Sequence, residues 1–288
     1  AAPVQAQMDV VLQGLSLTRD SSFPAGAALI EQAALDSLLL DGCTLDPGGA
    51  HVLDGSVLGG RAPLWPALRL GNDHGLVDAD EQRDFTQVPA LTLQRCITGA
   101  LQVASGYTLA LQACIVDAGS GADAPAPALA IGIEPGWGPP LSFSGLTVFG
   151  RSRVERARGD GGIFVHSLQV HDNQDSHGAL ATPNLPGSCI QRSWFSGIGD
   201  RLPQHLACVF GQGVAEPALL RFTAQQHGAP GYAQLAWAAD RRLREAGPGE
   251  DEMGAFGFLL NTHRWKNIGI RLREFMPLGR RALLVPVT

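Results

Sequence analysis

The chain has 288 residues with 45% hydrophobic side chains, enough for one large domain or two ordinary ones, so disorder is excluded as its main state. It contains no apolar run of about eighteen residues, which excludes a membrane-spanning helix. Residues 1–150 carry 15 acidic and 5 basic residues, residues 151–288 carry 12 acidic and 16 basic residues, and the overall acidity argues against binding to nucleic acid.

A short phrase with alternating apolar residues recurs through the first two thirds of the chain. Each copy has an apolar residue, then a small residue or arginine, then cysteine or leucine, then a further apolar residue. Alternation with a period of two is typical of a β-strand, and most copies end in a turn rich in Gly or Asp. The copies start at Val11, Leu39, Thr92, Ala110 and Ser142, with a weaker copy at Cys189.

The spacing between copies favours a solenoid. Leu15 and Cys43 are 28 residues apart, and Cys96 and Cys114 are 18 residues apart. Short strands that repeat every 20 to 30 residues or so are typical of stacked coils. We therefore predict a mainly β protein in which residues 1–216 form a right-handed parallel β-helix, and a β-sandwich with irregular hairpins is the alternative. The longer spacings predict loops at 61–88, 118–140 and 171–188.

From residue 217 onwards the apolar residues take a helical spacing. A first helix is predicted from Tyr232 to Leu243, because apolar residues recur there at intervals of three and four. Gly247 and Pro248 are expected to end it, and the acidic residues at 250–252 to begin the next helical stretch. Residues 217–288 are therefore predicted to be a small helical unit that caps the β-helix or docks onto a partner.

A later helix and a closing strand complete this predicted unit. Ile268, Leu272, Phe275 and Met276 form one apolar stripe, which we expect to be capped by Thr262 and stopped by Pro277. Residues 282–285 have the pattern of a strand. We expect the stripes Leu235/Ala239/Leu243 and Leu272/Phe275/Met276 to face the coils, because two such apolar faces are rarely left exposed.

Five cysteines suggest packing rather than metal binding. Cys43, Cys96 and Cys114 hold the same position of the repeat, so we predict that they stack inside the coils as small apolar residues. Cys189 and Cys208 fall outside this pattern. No two cysteines form Cys-x-x-Cys, which excludes a zinc ribbon and a thioredoxin motif, and the odd number favours a reducing compartment.

The polar clusters predict no catalytic residue, no metal and no cofactor. The acidic residues of the repeat region, Asp41, Asp46, Asp54 and Asp117, are scattered, and we find no strand that pairs two carboxylates as a glycosidase would. No nucleophile elbow or phosphate loop occurs. The weak metal candidates, which we interpret as solvated loop residues, are Asp78, Asp80, Glu81, His166, His171 and His177.

Four phrases identify a family that the sequence resembles. Leu91–Gly99 reads LTLQRCITG where the family has LTIERSIxG, and Pro230–Leu235 reads PGYAQL where it has PGYxQL. Glu252–Phe256 reads EMGAF as the family does, and Arg271–Phe275 reads RLREF where it has RLDEY. The chain thus resembles large, poorly characterised bacterial proteins with β-helix-like C-terminal regions, associated with gene clusters of phage-tail-like contractile injection systems. A His pair of the family is replaced here by Gly257 and Phe258.

The resemblance implies a structural or interaction role in such a particle, at its baseplate or fibres, with no catalysis. The expected partners are other particle proteins, without nucleic acid, and a homo-oligomer is left open. Assembly is expected in the cytoplasm, and the finished particle could be released or docked at the envelope. Since family members are longer and the chain begins with Ala1, we expect a processed chain or a piece of a longer one. The alternative is a carbohydrate-binding or polysaccharide-cleaving β-helix protein.

Overall fold

The computed structural model describes residues 8–19, 23–24, 26–31, 35–48, 66–71, 88–171 and 188–284. These residues form a mainly β structure with a small C-terminal helix. The strands are β1 Met8–Gln13, β2 Ser16–Leu17, β3 Ile30–Glu31, β4 Leu35–Asp41, β5 Thr44–Leu45, β6 Leu68–Leu70, β7 Ala90–Gln94, β8 Ile97–Thr98, β9 Leu101–Val103, β10 Thr108–Asp117, β11 Leu129–Ile131, β12 Leu141–Phe149, β13 Arg151–Val154, β14 Ala157–Phe164, β15 Leu168–Val170, β16 Cys189–Gln191, β17 Trp194–Phe195, β18 Gln204–Leu206 and β19 Val209–Phe210. Helices α1 and α2 span Arg241–Glu245 and Asn261–Phe275, and short 3-10 turns span Pro248–Glu250 and Gly257–Leu259.

The strands belong to two parallel sheets between which the chain passes back and forth. The first sheet runs β1-β4-β7-β10-β12-β14-β16-β18, with the short strands β2, β5, β8, β17 and β19 joined to it. The second sheet runs β3-β6-β9-β11-β13-β15. Strand order therefore follows chain order in each sheet. Every ladder between these named strands is parallel, so the hairpin-based β-sandwich alternative is wrong for the described residues.

The repeat found in the sequence sets the register of the first sheet. Gln94 pairs with Asp41 on one side and Gln112 on the other, so equivalent residues of successive copies lie side by side. The next residue of each copy turns the chain through a positive φ, which explains why this position holds glycine in four copies. The residues at this turn are Gly14, Gly42, Arg95, Ala113, Gly145, Gly161, Arg192 and Ala207.

The core lies between the two sheets and consists of stacked apolar side chains. Leucines such as Leu40, Leu93 and Leu111 are fully buried. Removing each side chain from water contributes about 1.5–3 kcal/mol to the stability of the fold. Towards the C-terminal end aromatic rings replace them. The rings of Phe143 and Phe164 meet edge to face at 5.4 Å, and those of Phe164 and Phe195 stack at 5.5 Å.

The predicted cysteine stack is confirmed. Cys43, Cys96 and Cys114 are buried as free thiols, and the backbone N–H of Cys43 lies 3.4 Å from the Cys96 sulfur. Each thiol donates to a carbonyl oxygen of the preceding copy, at Leu12, Leu40 and Leu93 respectively. The contact with Cys96 and burial both raise the pKa of the Cys114 thiol. Cys189 and Cys208 are half-buried and are also free.

Replacing Cys96 by alanine should lower the free energy of unfolding by about 1 kcal/mol, because a small void opens in the stack. Urea denaturation measures this loss, and Cys189→Ala at a half-buried site is the control with a smaller effect. In the native state Cys96 and Cys114 should react with alkylating reagents more slowly than Cys189. Rapid labelling of the buried thiols would contradict the stack.

Two stretches that the spacing predicts as loops also contribute strands. Residues 61–88 contain β6, and residues 118–140 contain β11. Both belong to the second sheet, whose strands have only two to four residues. Such short strands carry too few alternating residues to be recognised by period, which explains the incomplete prediction.

The helix predicted from Tyr232 to Leu243 is wrong, because only Arg241–Glu245 is α-helical. Before it, Gly231 and Ala233 have positive φ values, which interrupt a helix. Phe222 pairs with Leu235 in an isolated antiparallel bridge. Ala239 and Leu243 are buried as expected, but the acidic residues at 250–252 do not begin an α-helix.

Helix α2 forms near its predicted position and ends before Pro277 as expected. Its N-terminal cap is Leu260 in the left-handed conformation rather than Thr262, whose hydroxyl donates to the carbonyl oxygen of Arg244. No residue of α2 is buried, so the prediction that Leu272, Phe275 and Met276 face the coils is wrong. The predicted strand at 282–285 is absent as far as residue 284. No helix in the described ranges is both long and apolar enough to cross a membrane.

Candidate functional site: a cleft in the C-terminal segment

The C-terminal segment, residues 217–260, packs on the outside of the first sheet. In each copy of the repeat one residue points away from the core, and from Ile97 to Val209 these residues form an outer ladder that is mostly apolar. Its members are Ile97, Ile115, Thr147, Ile163, Trp194 and Val209. The segment covers this ladder with buried residues such as Tyr232, Leu243 and Met253.

Polar contacts fix the segment in place. The Trp194 ring N–H donates to the carbonyl oxygen of Ala218 at 3.0 Å. The backbone N–H of Ala255 donates to the Thr147 hydroxyl at 3.0 Å, and the N–H of Gly254 donates to the carbonyl oxygen of Gly161 at 2.8 Å. The phrase at 252–256 therefore contains residues that hold the segment on the sheet.

A buried Tyr–Asp pair joins the segment to the end of β10. The Tyr232 hydroxyl donates to Asp117 at 2.6 Å, and the other carboxylate oxygen accepts from the N–H of Gly119 at 2.7 Å. Burial raises the pKa of the Asp117 carboxyl, while the two hydrogen bonds act in the opposite direction. Burial and the charge of Asp117 raise the pKa of the Tyr232 phenol.

On the outer side, the segment and the start of α2 enclose a C-terminal cleft of about 550 Å³. This volume is in the range of small-molecule and side-chain binding pockets. Two tryptophans, four charged residues and several neutral polar groups line it. The lining residues are Thr223, Gln234, Leu235, Trp237, Arg244, Glu245, Glu252, Asn261, Thr262, Trp265, Lys266 and Leu284.

The tryptophans give the cleft an aromatic wall. The rings of Trp237 and Trp265 lie 5.9 Å apart at an angle of 59°, and the Arg244 guanidinium lies 4.2 Å from the centre of the Trp237 ring. Trp237 keeps 47% of its surface exposed and Trp265 keeps 38%. Exposed aromatic rings beside a cation suit a planar or apolar group of a partner molecule.

Two adjacent carboxylates hold the start of α2 beside the cleft, and one of them, Glu252, lines it. Asp251 accepts the backbone N–H groups of Glu252 and Thr262, at 2.7 and 3.1 Å. Glu252 accepts the side-chain amide of Asn261 at 2.9 Å. Burial and the neighbouring Asp251 raise the pKa of the Glu252 carboxyl, while the Asn261 amide lowers it. Glu252 therefore places a partly desolvated carboxyl group among the tryptophans and basic residues that line the cleft.

The metal candidates from the sequence are not assembled in the described part of the chain. Asp78, Asp80, Glu81 and His177 lie outside the described residues. His166 places its Nε2 atom 2.8 Å from the carbonyl oxygen of Gly121, where it anchors a loop. Within the described ranges no group of three or more His, Cys, Asp or Glu side chains could hold a metal ion.

The remaining candidate, His171, belongs to a Trp137 cluster beside the second sheet. Its ring lies 4.8 Å from that of Trp137, and its carbonyl oxygen accepts from Arg201. The Arg153 guanidinium is 4.4 Å from the centre of the Trp137 ring, and that of Arg201 is 5.9 Å away. The cluster thus places two cations and a half-buried indole together, an arrangement suited to an anionic ligand.

The acidic residues of the repeat have structural partners. Asp46 and Asp117 each accept the N–H two residues later, which fixes the turn after a strand. Asp41 forms an ion pair with Arg95, and Asp54 lies outside the described residues. The sequence did not point to the C-terminal cleft, because its lining residues come from separate turns and from α2. The only signal was the pair of phrases that contain Tyr232 and Glu252.

The chain matches no protein-family model. No curated protein and no solved structure matches it either.

Proposed function

We propose that the chain is a right-handed parallel β-helix that serves as a structural or interaction component of a phage-tail-like contractile injection particle, associated with its baseplate or fibres. In-register stacking of parallel copies supports the β-helix. The right hand is proposed because crossovers between parallel strands of a sheet are almost always right-handed. We propose further that the C-terminal cleft is where this rigid body holds another particle protein. The partner is met during assembly in the cytoplasm.

One observation carries the binding role. The segment is anchored through the outer ladder and the Tyr232–Asp117 pair on its inner side, while Trp237 of the segment and Trp265 of α2 stay exposed at the cleft. A partner group would enter a cleft that is already formed, which lowers the entropic cost of binding. Aromatic residues at a preformed cleft are typical of the residues that dominate protein–protein affinity.

Co-purification from cells that carry such a particle tests the proposal. The tagged chain should capture sheath or baseplate proteins, identified by mass spectrometry, and Trp237→Ala should reduce the capture about tenfold or more. Trp137→Ala, a tryptophan change at the other sheet, is the matched control and should leave the capture unchanged. Equal capture by all three chains, or no particle protein among the captured ones, would refute the proposal.

The Trp137 cluster favours a second candidate function, the binding of an anionic polysaccharide. An indole flanked by Arg153 and Arg201 can hold a sugar ring and its carboxylate together. Isothermal titration with polygalacturonate, and with neutral dextran for contrast, tests this candidate. Trp137→Ala should abolish binding of the anionic polymer while Trp237→Ala preserves it, and equal binding of both polymers would contradict it.

A further inference from the structure

Helix α2 has one apolar stripe that the described part of the chain leaves largely exposed. Trp265, Ile268, Leu272 and Phe275 follow each other at intervals of three and four, so at 100° per residue they lie within about one third of the helix circumference. Ile268 is 44% exposed and Phe275 is 81% exposed. Beyond the helix, Leu278 is also fully exposed.

Basic residues border this stripe on both sides. On the helical wheel Arg264 and Arg271 lie along one edge, and Lys266 and Arg273 lie along the other. Residues 261–284 contain six basic residues and one acidic residue, whereas residues 1–150 contain 15 acidic and 5 basic residues. The single acid, Glu274, pairs with Arg271 at the surface. Residues 261–284, which carry the stripe, therefore have a net charge of +5, whereas residues 1–150 have a net charge of −10.

We propose that α2 is a membrane-surface helix that binds an anionic bilayer, with its stripe at the level of the lipid headgroups and acyl chains. An exposed apolar face with Trp and Phe, bordered by Lys and Arg along its length, is complementary to such a surface in both polarity and charge. A second copy of the chain would have to match this face with an acidic, apolar groove of the same length. The acidic half of the chain would be repelled by the lipid, which orients α2 towards it. This inference does not depend on the proposed function.

Vesicle co-sedimentation of the full chain tests the proposal. The chain should pellet with vesicles that contain phosphatidylglycerol and remain in the supernatant with vesicles of phosphatidylcholine alone. Phe275→Glu, at the most exposed residue of the stripe, should weaken binding about tenfold or more. Ile270→Glu is the matched control, because Ile270 is 56% exposed on the opposite face of the same helix, and it should bind like the unmodified chain.

Charge variants test whether the basic residues beside the stripe contribute to binding. Lys266→Gln and Arg273→Gln should each weaken binding to the anionic vesicles about fivefold, whereas Arg158→Gln on β14 makes the same charge change away from α2 and should have no effect. Added salt should release the chain, because it screens the attraction. Phe275→Glu and Ile270→Glu both change exposed positions, so the thermal unfolding temperature should be unchanged. A lowered unfolding temperature would reveal a folding defect.

Three results would overturn the proposal. The first is equal sedimentation with neutral and anionic vesicles, and the second is no sedimentation with either. The third is a dimer, detected by light scattering, that Phe275→Glu separates, because a second copy would then cover the stripe. None of these results decides whether particle proteins are captured through the C-terminal cleft, so the proposed function can stand or fall separately.

Discussion

Replacing Gly254 by alanine should lower the free energy of unfolding by roughly 2–4 kcal/mol. Gly254 has a φ of +93°, which strains any other residue. A Cβ atom there would lie 2.8 Å from the Thr147 hydroxyl and 2.9 Å from the end of Ile163, both on the outer ladder. The segment would have to move away from the sheet. Urea denaturation followed by circular dichroism measures the loss.

Gly249→Ala separates the two sources of this loss. Gly249 also has a positive φ, of +70°, but nothing lies within 4 Å of a Cβ atom at that position. Its replacement should cost only the backbone strain, about 1 kcal/mol. If both variants lose the same stability, the close approach of the segment to the outer ladder is wrong.

Removing the Tyr232 hydroxyl with Tyr232→Phe should cost about 2 kcal/mol or more at neutral pH, because the Asp117 carboxylate then loses its donor while it remains buried. The folded-state pKa of Asp117 is raised above its unfolded value of about 3.8. Its charge therefore opposes folding above the raised pKa, and this cost disappears as the pH falls towards the unfolded value. The penalty of Tyr232→Phe should shrink over the same acidic range.

Asp117→Asn provides the control for this pH dependence. Asparagine can still accept from Gly119, but it has no charge to bury. In the Asn background the cost of Tyr232→Phe should be smaller and nearly independent of pH. A cost that stays constant with pH in the Asp117 chain would contradict the assignment of a buried, titrating carboxyl.

The strands, their parallel pairing and the cysteine stack could be predicted because they follow from local alternation and from a repeat that sets its own register. Cys96 and Cys114 hold the same position of the repeat, and because successive copies pair in register they also lie next to each other in the structure. The helix predicted at Tyr232 failed because the positive φ of Ala233 interrupts it, while Tyr232 and Leu235 pack into the cluster at the outer ladder from an irregular chain. The sequence does contain a signal for this contact. At the outward-facing position of the repeat, polar Ser16 and Thr44 are followed by apolar Ile97 and Ile115, which indicates that the later copies are covered.

The cleft and the environment of α2 were beyond the reach of sequence patterns. Trp237 and Trp265 are 28 residues apart in the chain, and only the turns between them bring the rings together. The stripe of α2 was recognised, but its helical spacing says nothing about which surface covers it. Whether a helix face is exposed depends on how the whole chain packs, whereas periodicity identifies only which residues share that face.

The outer ladder also has a consequence for how the protein unfolds. In a structure whose neighbouring coils touch only one another, stability is the sum of pairwise terms, and the ends can fray without affecting the middle. The C-terminal segment lies across strands β8, β10, β12, β14, β17 and β19 at once, through the ladder residues that it buries. Because it contacts all six strands, the segment couples copies of the repeat that do not pair directly with one another, and we expect these copies to open together. Strands β1 and β4 contribute no residue to the cluster under the segment, so we expect them to open without the others.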